Sequence, residues 1–149
     1  MEIDSTIDVL LSSKGSDAWS IGPRATVFEA IQLMADKNVG ALLVTEGGKL
    51  LGMLSERDYT RKVILKGKSS RETPVIDIIS KEPVVASPRD KVVDCMRVMT
   101  QHRIRHLPVL DGGKIVGVIS IGDLVNWTIS TQSATIDQLQ KYISGEYPG

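Results

Sequence analysis

The sequence is poor in cysteine and contains no long apolar run. Cys95 is the single cysteine among 149 residues, which excludes an internal disulfide. Its position in an apolar helical pattern favours a buried small residue over a redox or catalytic thiol. Every apolar run is much shorter than the roughly 20 residues of a membrane-spanning helix. Residues 1–8 carry acidic side chains where a secretion signal has basic ones, so we expect a cytoplasmic protein without a membrane partner.

Net charge and aromatic residues are also scarce. The 18 lysines and arginines balance 18 acidic residues, and aromatic residues make up 4% of the chain. The surface as a whole is therefore not attracted to nucleic acid, and few rings are present to stack on bases. A nucleic-acid binder would depend on the short basic segment around Arg103, and we expect no nucleic-acid partner.

The residues that metal and catalytic sites use are sparse as well. The two histidines, His102 and His106, are four residues apart, but they lack the glutamate of a zinc-hydrolase motif and a further ligand motif. No nucleophile stands beside them in a base-and-acid pattern. We therefore expect no metal site, no catalytic residue and no enzymatic activity of its own.

The chain does contain one unit written twice. Residues 42–60 recur at residues 107–125 with a constant offset of 65, so that Gly47 matches Gly112. Each copy has two short apolar strands joined by a glycine turn and followed by the start of a helix. A lone unit of about 60 residues would be marginally stable, so we expect the two copies to pack on each other.

The pattern predicts the order strand, helix, strand, strand, helix in each unit. Thr26 and Glu29 form a capping box for the first helix, and Asp90 is expected to cap its counterpart. Both tails are interpreted as helices that cover the core, in preference to helices that bind a partner. The predicted divisions are an N-terminal helical tail (1–18), the first repeat (19–66), a linker (67–77), the second repeat (78–131) and a C-terminal helical tail (132–149).

Each repeat places a glycine, a serine and an aspartate where a strand leads into a helix. The residues are Gly52, Ser55 and Asp58, then Gly117, Ser120 and Asp123. Serine followed by aspartate three residues later resembles a capping box, which would only start the helix. The same geometry suits a nucleotide, because free N–H groups at a helix start favour phosphate and a carboxylate accepts ribose hydroxyls. The glycine is expected to let a ligand approach the backbone. Spacing alone leaves both interpretations open.

Four segments carry a resemblance to a known family: GMLSERD and GVISIGD, with NVGALLV and RIRHLPV upstream of them. In this order and in two copies, they resemble the cystathionine-β-synthase (CBS) domain family over about residues 19–129. The resemblance implies an α/β fold of two β-α-β-β-α repeats, packed sheet to sheet with pseudo-twofold symmetry and with short helices at both tails. It also implies two clefts that bind adenosine-containing ligands.

The resemblance assigns residues of both repeats to each cleft. In one cleft, ribose is expected on Asp58, phosphate near Ser55, and adenine against Ile79, Ser80 and Ile104. The other cleft is expected to combine Ser120 and Asp123 with Trp19, Ser20, Val39, Gly40 and Ala41.

The two clefts are expected to differ in charge. Where the first repeat has Gly40 and Ala41, the second has Arg105 and His106. In a related kinase subunit of the family, basic residues at this place reach nucleotide phosphates, and a planar guanidinium bonds two phosphate oxygens at once. We therefore expect the cleft with Asp58 to accept a longer polyphosphate or a dinucleotide. Further positive charge is expected from Arg57, Arg61, Lys62, His102 and Arg103. The alternative is a solvated basic face in which His106 is a half-buried histidine with its hydrogen bonds satisfied.

The resemblance implies a regulatory module that binds AMP, ATP or NAD and changes shape to control an unidentified downstream protein. It also implies a homodimer, for which apolar helix faces are available at Val63, Ile64, Val125 and Ile129. Two other functions stay open. The chain could be a ligand-free scaffold for protein interaction, or the regulatory subunit of an enzyme.

Overall fold

The structure is a computed structural model that describes residues 5–15 and 17–131. The helices are α1 (Ile7–Lys14), α2 (Val27–Lys37), α3 (Glu56–Tyr59), α4 (Val92–His102) and α5 (121–131). The strands are β1 (Ser20–Ile21), β2 (Ala41–Glu46), β3 (Lys49–Ser55), β4 (Ser80–Lys81), β5 (His106–Asp111) and β6 (Lys114–Ser120). A π-helical turn, Thr60–Ile64, prolongs α3, and a 3-10 turn, Val75–Asp77, precedes β4. The helix predicted in the C-terminal tail (132–149) lies outside the described residues.

The strands form a four-stranded sheet in the order β1-β2-β3-β4 and a two-stranded sheet of β5 and β6. The two hairpins keep the same register, and each has an irregularity at the same place, after Val44 in one and after Val109 in the other. Their turns need left-handed backbone, which glycine supplies at Gly47 (φ 59°) and Gly112 (φ 59°). The predicted mixed α/β fold with a duplicated unit is confirmed.

Each repeat has its own hydrophobic core, and each core contains a segment that precedes the other repeat. We call these residues, 5–14 and 73–81, the leading segments. Ile7, Leu10 and Leu11 of the first leading segment pack with the second repeat. Residues Val75, Ile78 and Ile79 of the other leading segment pack with the first repeat. The two repeats have therefore exchanged their leading segments.

Backbone hydrogen bonds hold this exchange at the start of α2 and α4. Ser5 accepts a bond of 2.9 Å from the N–H of Val92, and Ile7 donates one of 2.9 Å to Asp90. The start of α2 makes the same two bonds, from positions that lie 65 residues before Val92 and Asp90. Here the acceptor on the leading segment is Thr73 (2.9 Å), and the donor on the leading segment is Val75 (2.8 Å). Both helix starts thus place otherwise unpaired N–H groups on a leading segment.

The strand glycines make room for these leading segments. A Cβ on Gly52 would lie 2.6 Å from the carbonyl oxygen of Ser80, and one on Gly117 would lie 3.0 Å from Cδ2 of Leu11. The structure therefore corrects the expectation that the glycines leave the backbone open to a ligand. In both repeats the chain itself fills that space.

Two helix starts show where local patterns succeed and fail. Thr26 accepts a hydrogen bond of 3.2 Å from the N–H of Glu29, as the predicted capping box requires. The prediction for Asp90 is wrong, because α4 begins after Lys91 and the Asp90 carboxylate instead accepts the N–H of Ser87 at 2.8 Å. Asp90 lies one residue too early to bond the first free N–H groups of α4.

Burial decides two further expectations. Cys95 lies in the second core, where burial first, and then Asp90 and Asp94, raise the pKa of its thiol to about 11. Its prediction as a buried small residue is confirmed. Val63 is 1% exposed and packs in the first core, so its place in an exposed dimer face is corrected. Its neighbour Ile64 is exposed.

Candidate functional site

A cleft of ≈ 780 Å³ opens between the two repeats beside Asp58, and we call it the Asp58 cleft. From the first repeat it is lined by Gly40, Ala41, Met53, Ser55, Glu56, Arg57, Asp58 and Arg61. From the second half of the chain it is lined by Ser80, Glu82, Pro83, Val84, His102, Arg103, Ile104, Arg105 and His106. Both repeats therefore contribute polar and charged side chains to one cavity.

Ser55 and Asp58 form a complete capping box at the floor of this cleft. Ser55 Oγ accepts the N–H of Asp58 at 3.1 Å, and Asp58 Oδ2 accepts the N–H of Ser55 at 3.0 Å. The Asp58 side chain is still 24% exposed, and its Oδ1 lies 3.5 Å from Nζ of Lys62. The capping interpretation is thus confirmed, and the same carboxylate keeps an accessible face in the cleft.

Most of the residues predicted for this cleft lie together in it: Ser55, Arg57, Asp58, Ser80, Ile104, Arg105 and His106. Ile79 does not. Its side chain is 7% exposed and packs in the first core, where it contacts Gly52. The expected adenine contact at Ile79 is therefore corrected, because the leading segment turns this side chain inward.

Arginines outnumber acidic residues in the lining of the cleft, and we call these arginines the basic wall. Four arginines form it: Arg57, Arg61, Arg103 and Arg105. Arg57 Nη1 lies 3.5 Å from the carbonyl oxygen of Arg103, so its guanidinium reaches from the first repeat to the second. Glu56, Glu82 and Asp58 supply negative charge nearby. Guanidinium groups converging on a cavity favour an anion with several oxygen atoms.

Five lining residues were not predicted from the sequence: Met53, Glu56, Glu82, Pro83 and Val84. Val84 lies one repeat period after Trp19 (19 + 65 = 84), so the register of the repeat was a signal that could have identified it. No comparable signal marks Glu82, which enters the cleft through the backbone path that follows β4.

His106 lies where the repeats meet. A Cβ built on Gly40 would be 3.5 Å from Cε1 of His106 and 3.4 Å from Oε1 of Glu56. Burial lowers the pKa of His106 below its usual value; the positive charges of Lys14 and Arg105 add to this, while Asp123 and Glu56 oppose it. The imidazole is therefore mainly neutral at pH 7, and the positive charge of the wall comes from the arginines.

The equivalent acid of the second repeat, Asp123, has a different neighbour. Ser120 and Asp123 form the same capping box, with bonds of 3.1 and 2.8 Å. Lys14 at the end of α1 donates from Nζ to Asp123 Oδ2 at 2.7 Å and to the carbonyl oxygen of Val118 at 2.9 Å. Burial acts to raise the pKa of Asp123, but the bonds from Lys14 and Ser120 outweigh it, and the pKa is lowered.

The other residues predicted to accompany Asp123 have different surroundings. Trp19 is exposed, with Nζ of Lys37 lying 4.2 Å from its ring centroid, and Ser20 begins β1. Val39 packs against the first core. Gly40 and Ala41 line the Asp58 cleft.

The described residues contain neither a metal-binding cluster nor a membrane span. Across residues 5–15 and 17–131, no cluster of three or more His, Cys, Asp or Glu side chains is arranged to hold a metal ion. None of the helices in the same ranges is both long and apolar enough to cross a membrane.

A family model for the CBS domain matches residues 14–64 and 75–130. The chain belongs to the CBS-domain family. It is 38% identical over 153 residues to the mitochondrial CBS domain-containing protein CBSX3 of Arabidopsis thaliana, across 96% of this chain and 74% of that one. A solved CBS-domain protein from Burkholderia ambifaria superposes with a TM-score of 0.83 and 44% identity, across 86% of this chain and 96% of that one.

Two more distant structures describe a ligand and an assembly. The CBS domain pair of protein MJ0100, solved with 5′-methylthioadenosine and S-adenosyl-L-methionine, has a TM-score of 0.76 and 18% identity, across 85% of this chain and 98% of that one. At that identity the likeness shows the fold alone. A hexameric CBS-CP12 protein from bloom-forming cyanobacteria has a TM-score of 0.74 and 28% identity. The match covers 83% of the present chain and 67% of the CBS-CP12 chain.

Proposed function

We propose that this CBS-domain protein is a regulatory module that binds an adenine nucleotide in the Asp58 cleft and transmits its binding to a partner protein. The observation that carries the proposal is the composition of one cavity. The partly exposed carboxylate of Asp58 comes from the first repeat, and the guanidinium wall combines Arg57 and Arg61 of the first repeat with Arg103 and Arg105 of the second. A ligand that joins a sugar to phosphates would contact both repeats at once.

We assign the ribose and the phosphates of the proposed ligand to different residues of the cleft. Ribose hydroxyls donate hydrogen bonds, and Asp58 Oδ1 is the acceptor that faces away from the capping box. Ser55 Oγ already accepts the N–H of Asp58. We therefore move the proposed phosphate contacts from Ser55 to Arg57, Arg103 and Arg105, which suit them by charge and shape.

Size and family support an adenosine-containing ligand. The cavity of ≈ 780 Å³ falls within the range of about 300–1,000 Å³ that is usual for small-molecule sites. MJ0100 was solved with two ligands that contain adenosine. Several arginines on one wall favour ATP or NAD over AMP, because each added phosphate oxygen gains a charge-assisted bond.

Binding would act by changing the relative orientation of the two repeats, because the bound nucleotide would contact both of them. We keep the homodimer in this proposal, with Ile64, Val125 and Ile129 as its exposed apolar residues. Because one relative is hexameric, the oligomeric state should be measured together with ligand binding. Light scattering with and without ATP measures it. We propose a role without catalysis and a cytoplasmic location, which differs from the mitochondrial location in the name of the Arabidopsis relative.

Titration calorimetry with AMP, ATP and NAD, and with GTP as the control base, tests the proposal. Asparagine keeps an acceptor for the capping box but removes the carboxylate charge, so Asp58→Asn and Asp123→Asn form a matched pair. We expect Asp58→Asn to weaken adenine-nucleotide binding by tenfold or more, which corresponds to about 1.4 kcal/mol. Asp123→Asn should leave that site intact.

The basic wall is tested by replacing Arg103 and Arg105 together with glutamine. ATP affinity should fall more than AMP affinity, and the salt dependence of ATP binding should weaken. If no adenine nucleotide binds, or if both aspartate variants have the same effect, the aspartates are only helix caps. The ligand-free scaffold, which the two complete capping boxes favour, would then be the better function.

A further inference from the structure

The two aspartates differ in what the exchanged leading segments bring to them. Lys14 lies at the end of the first leading segment, and its ammonium contacts Asp123 at 2.7 Å. The two side chains are 32% and 26% exposed, so the ion pair is partly shielded from solvent. A second bond, to the carbonyl oxygen of Val118, fixes the ammonium in place.

The corresponding position beside Asp58 carries no such cation. Leu11 lies on Gly117 as Ile79 lies on Gly52, so the two leading segments correspond at an offset of 68 (79 − 11). At that offset the counterpart of Lys14 is Glu82. Asp58 instead has Lys62 of its own helical turn at 3.5 Å, and that ammonium is shared with the carbonyl oxygen of Ile78.

We infer that Lys14 is an internal occupant of the second nucleotide position, where its ammonium neutralises the Asp123 carboxylate at Oδ2 and competes with ribose hydroxyls for it. This inference rests on the proposed function. Neutral hydroxyls bond a carboxylate less strongly than an ammonium at 2.7 Å does, so a ligand cannot displace Lys14 at no cost. The module should therefore bind one nucleotide per chain, in the Asp58 cleft, before it binds a second.

The structure also limits how Lys14 can leave. Ile7, Leu10 and Leu11 are buried in the second core and hold α1 in place. Lys14 is the last residue of α1, and Gly15 follows it with a φ of 97°, a conformation that ends the helix. Release therefore requires movement of only the last helical turn, not separation of α1 from the core.

Calorimetric titration with ATP tests the inference on Lys14→Met, which keeps much of the side-chain length without the charge. Lys49→Met, at the first residue of β3, is the matched control. We expect one site in the wild type and in Lys49→Met. We expect two sites in Lys14→Met, the second at least tenfold tighter than any second site of the wild type. In the Asp58→Asn background, Lys14→Met should leave one site that Asp123→Asn removes.

A second measurement does not depend on nucleotide. His102 and His106 are the two histidines of the chain, so an NMR pH titration resolves each of them. The charged groups around His106 are Asp123, Lys14, Glu56 and Arg105. Replacing Lys14 removes a positive charge and leaves Asp123 unpaired, and both changes should raise the pKa of His106. Lys49→Met should not change it.

The outcomes separate the inference from the proposed function. One ATP site in both the wild type and Lys14→Met overturns the inference and leaves the function standing, as do two equal sites in the wild type. An unchanged pKa of His106 in Lys14→Met also overturns the inference, because Lys14 would then not lie beside Asp123. Absence of ATP binding in every variant overturns both.

Discussion

The Asp58 cleft and the surroundings of Asp123 are built on the same local motif but differ in the groups that lie beside the carboxylate. In both places a serine and an aspartate cap a helix through equivalent hydrogen bonds. Asp58 faces a cavity with an arginine wall, whereas Asp123 is bonded to Lys14. The comparison shows that the repeated motif determines the position of each carboxylate, while the exchanged leading segments contribute to the different groups that lie beside it.

The largest expected effect is a loss of stability in the second repeat, caused by a substitution in the first leading segment. Leu10→Ala should lower the free energy of unfolding by about 2–5 kcal/mol, because Leu10 is 1% exposed in the second core. Its exposed neighbour Val9 provides the control, and Val9→Ala should change stability by about 0.5 kcal/mol or less. Urea denaturation measures both.

Hydrogen exchange then locates the effect of Leu10→Ala. Protection should fall more in the hairpin of β5 and β6 than in that of β2 and β3, because α1 packs with the second repeat. Equal loss in the two hairpins would argue against separate cores.

The strand glycines offer a smaller effect that distinguishes the repeats. Gly52→Ala places a Cβ 2.6 Å from a backbone oxygen, which cannot move without displacing β4. Gly117→Ala meets the flexible end of Leu11 at 3.0 Å. We expect a cost of about 2–3 kcal/mol at Gly52 and about 1 kcal/mol at Gly117, at the upper and lower ends of the usual overpacking range.

Denaturant midpoints and ATP titrations of these two glycine variants check the expectation. Gly52→Ala should also weaken ATP binding, because β4 carries Ser80 into the Asp58 cleft. A larger loss of stability in Gly117→Ala would show that α1, rather than β4, is the less adaptable leading segment.

The smallest expected effect concerns the histidine between the two regions. The pKa of His106 is lowered in the folded protein, so between that pKa and the usual value of 6.5 the unfolded chain binds more protons. Stability should therefore fall as the pH drops through 6.5, by about 1 kcal/mol or less per pH unit. His106→Asn should flatten this slope, as measured by thermal unfolding between pH 5 and pH 8.

His102→Asn, at an exposed position on α4, is the matched control for His106→Asn. An equal slope in the wild type and His106→Asn would mean that His106 does not sense the folded environment, and would weaken its use as a reporter of Lys14.

Local signals in the sequence predicted the local parts of this structure. The glycine turns, the two hairpins and the serine-aspartate capping boxes each depend on a few neighbouring residues, and the offset of 65 related them correctly. The same offset led from Gly40 and Ala41 to Arg105 and His106, which line the Asp58 cleft.

The exchange of leading segments was not predictable in the same way. The repeats correspond at an offset of 65, but the leading segments correspond at 68, so a single ungapped register mismatches them. A single register therefore identifies no counterpart for Lys14. The sequence likewise predicts Ile79 in the cleft, whereas it packs in the core. Val63 was assigned to an exposed face because the π-helical turn of Thr60–Ile64 departs from regular helical periodicity.

The exchange also orders the assembly of the protein as it is synthesised. The first core needs Val75 and Ile79, so it is complete only after the chain has entered the second repeat. α1 is made before both repeats, but it packs with Leu107, Ile119 and Leu124, which are made about 100 residues later. An isolated helix of eight residues is unstable in water. During synthesis α1 therefore stays without these partners until nearly all of the described chain has been made.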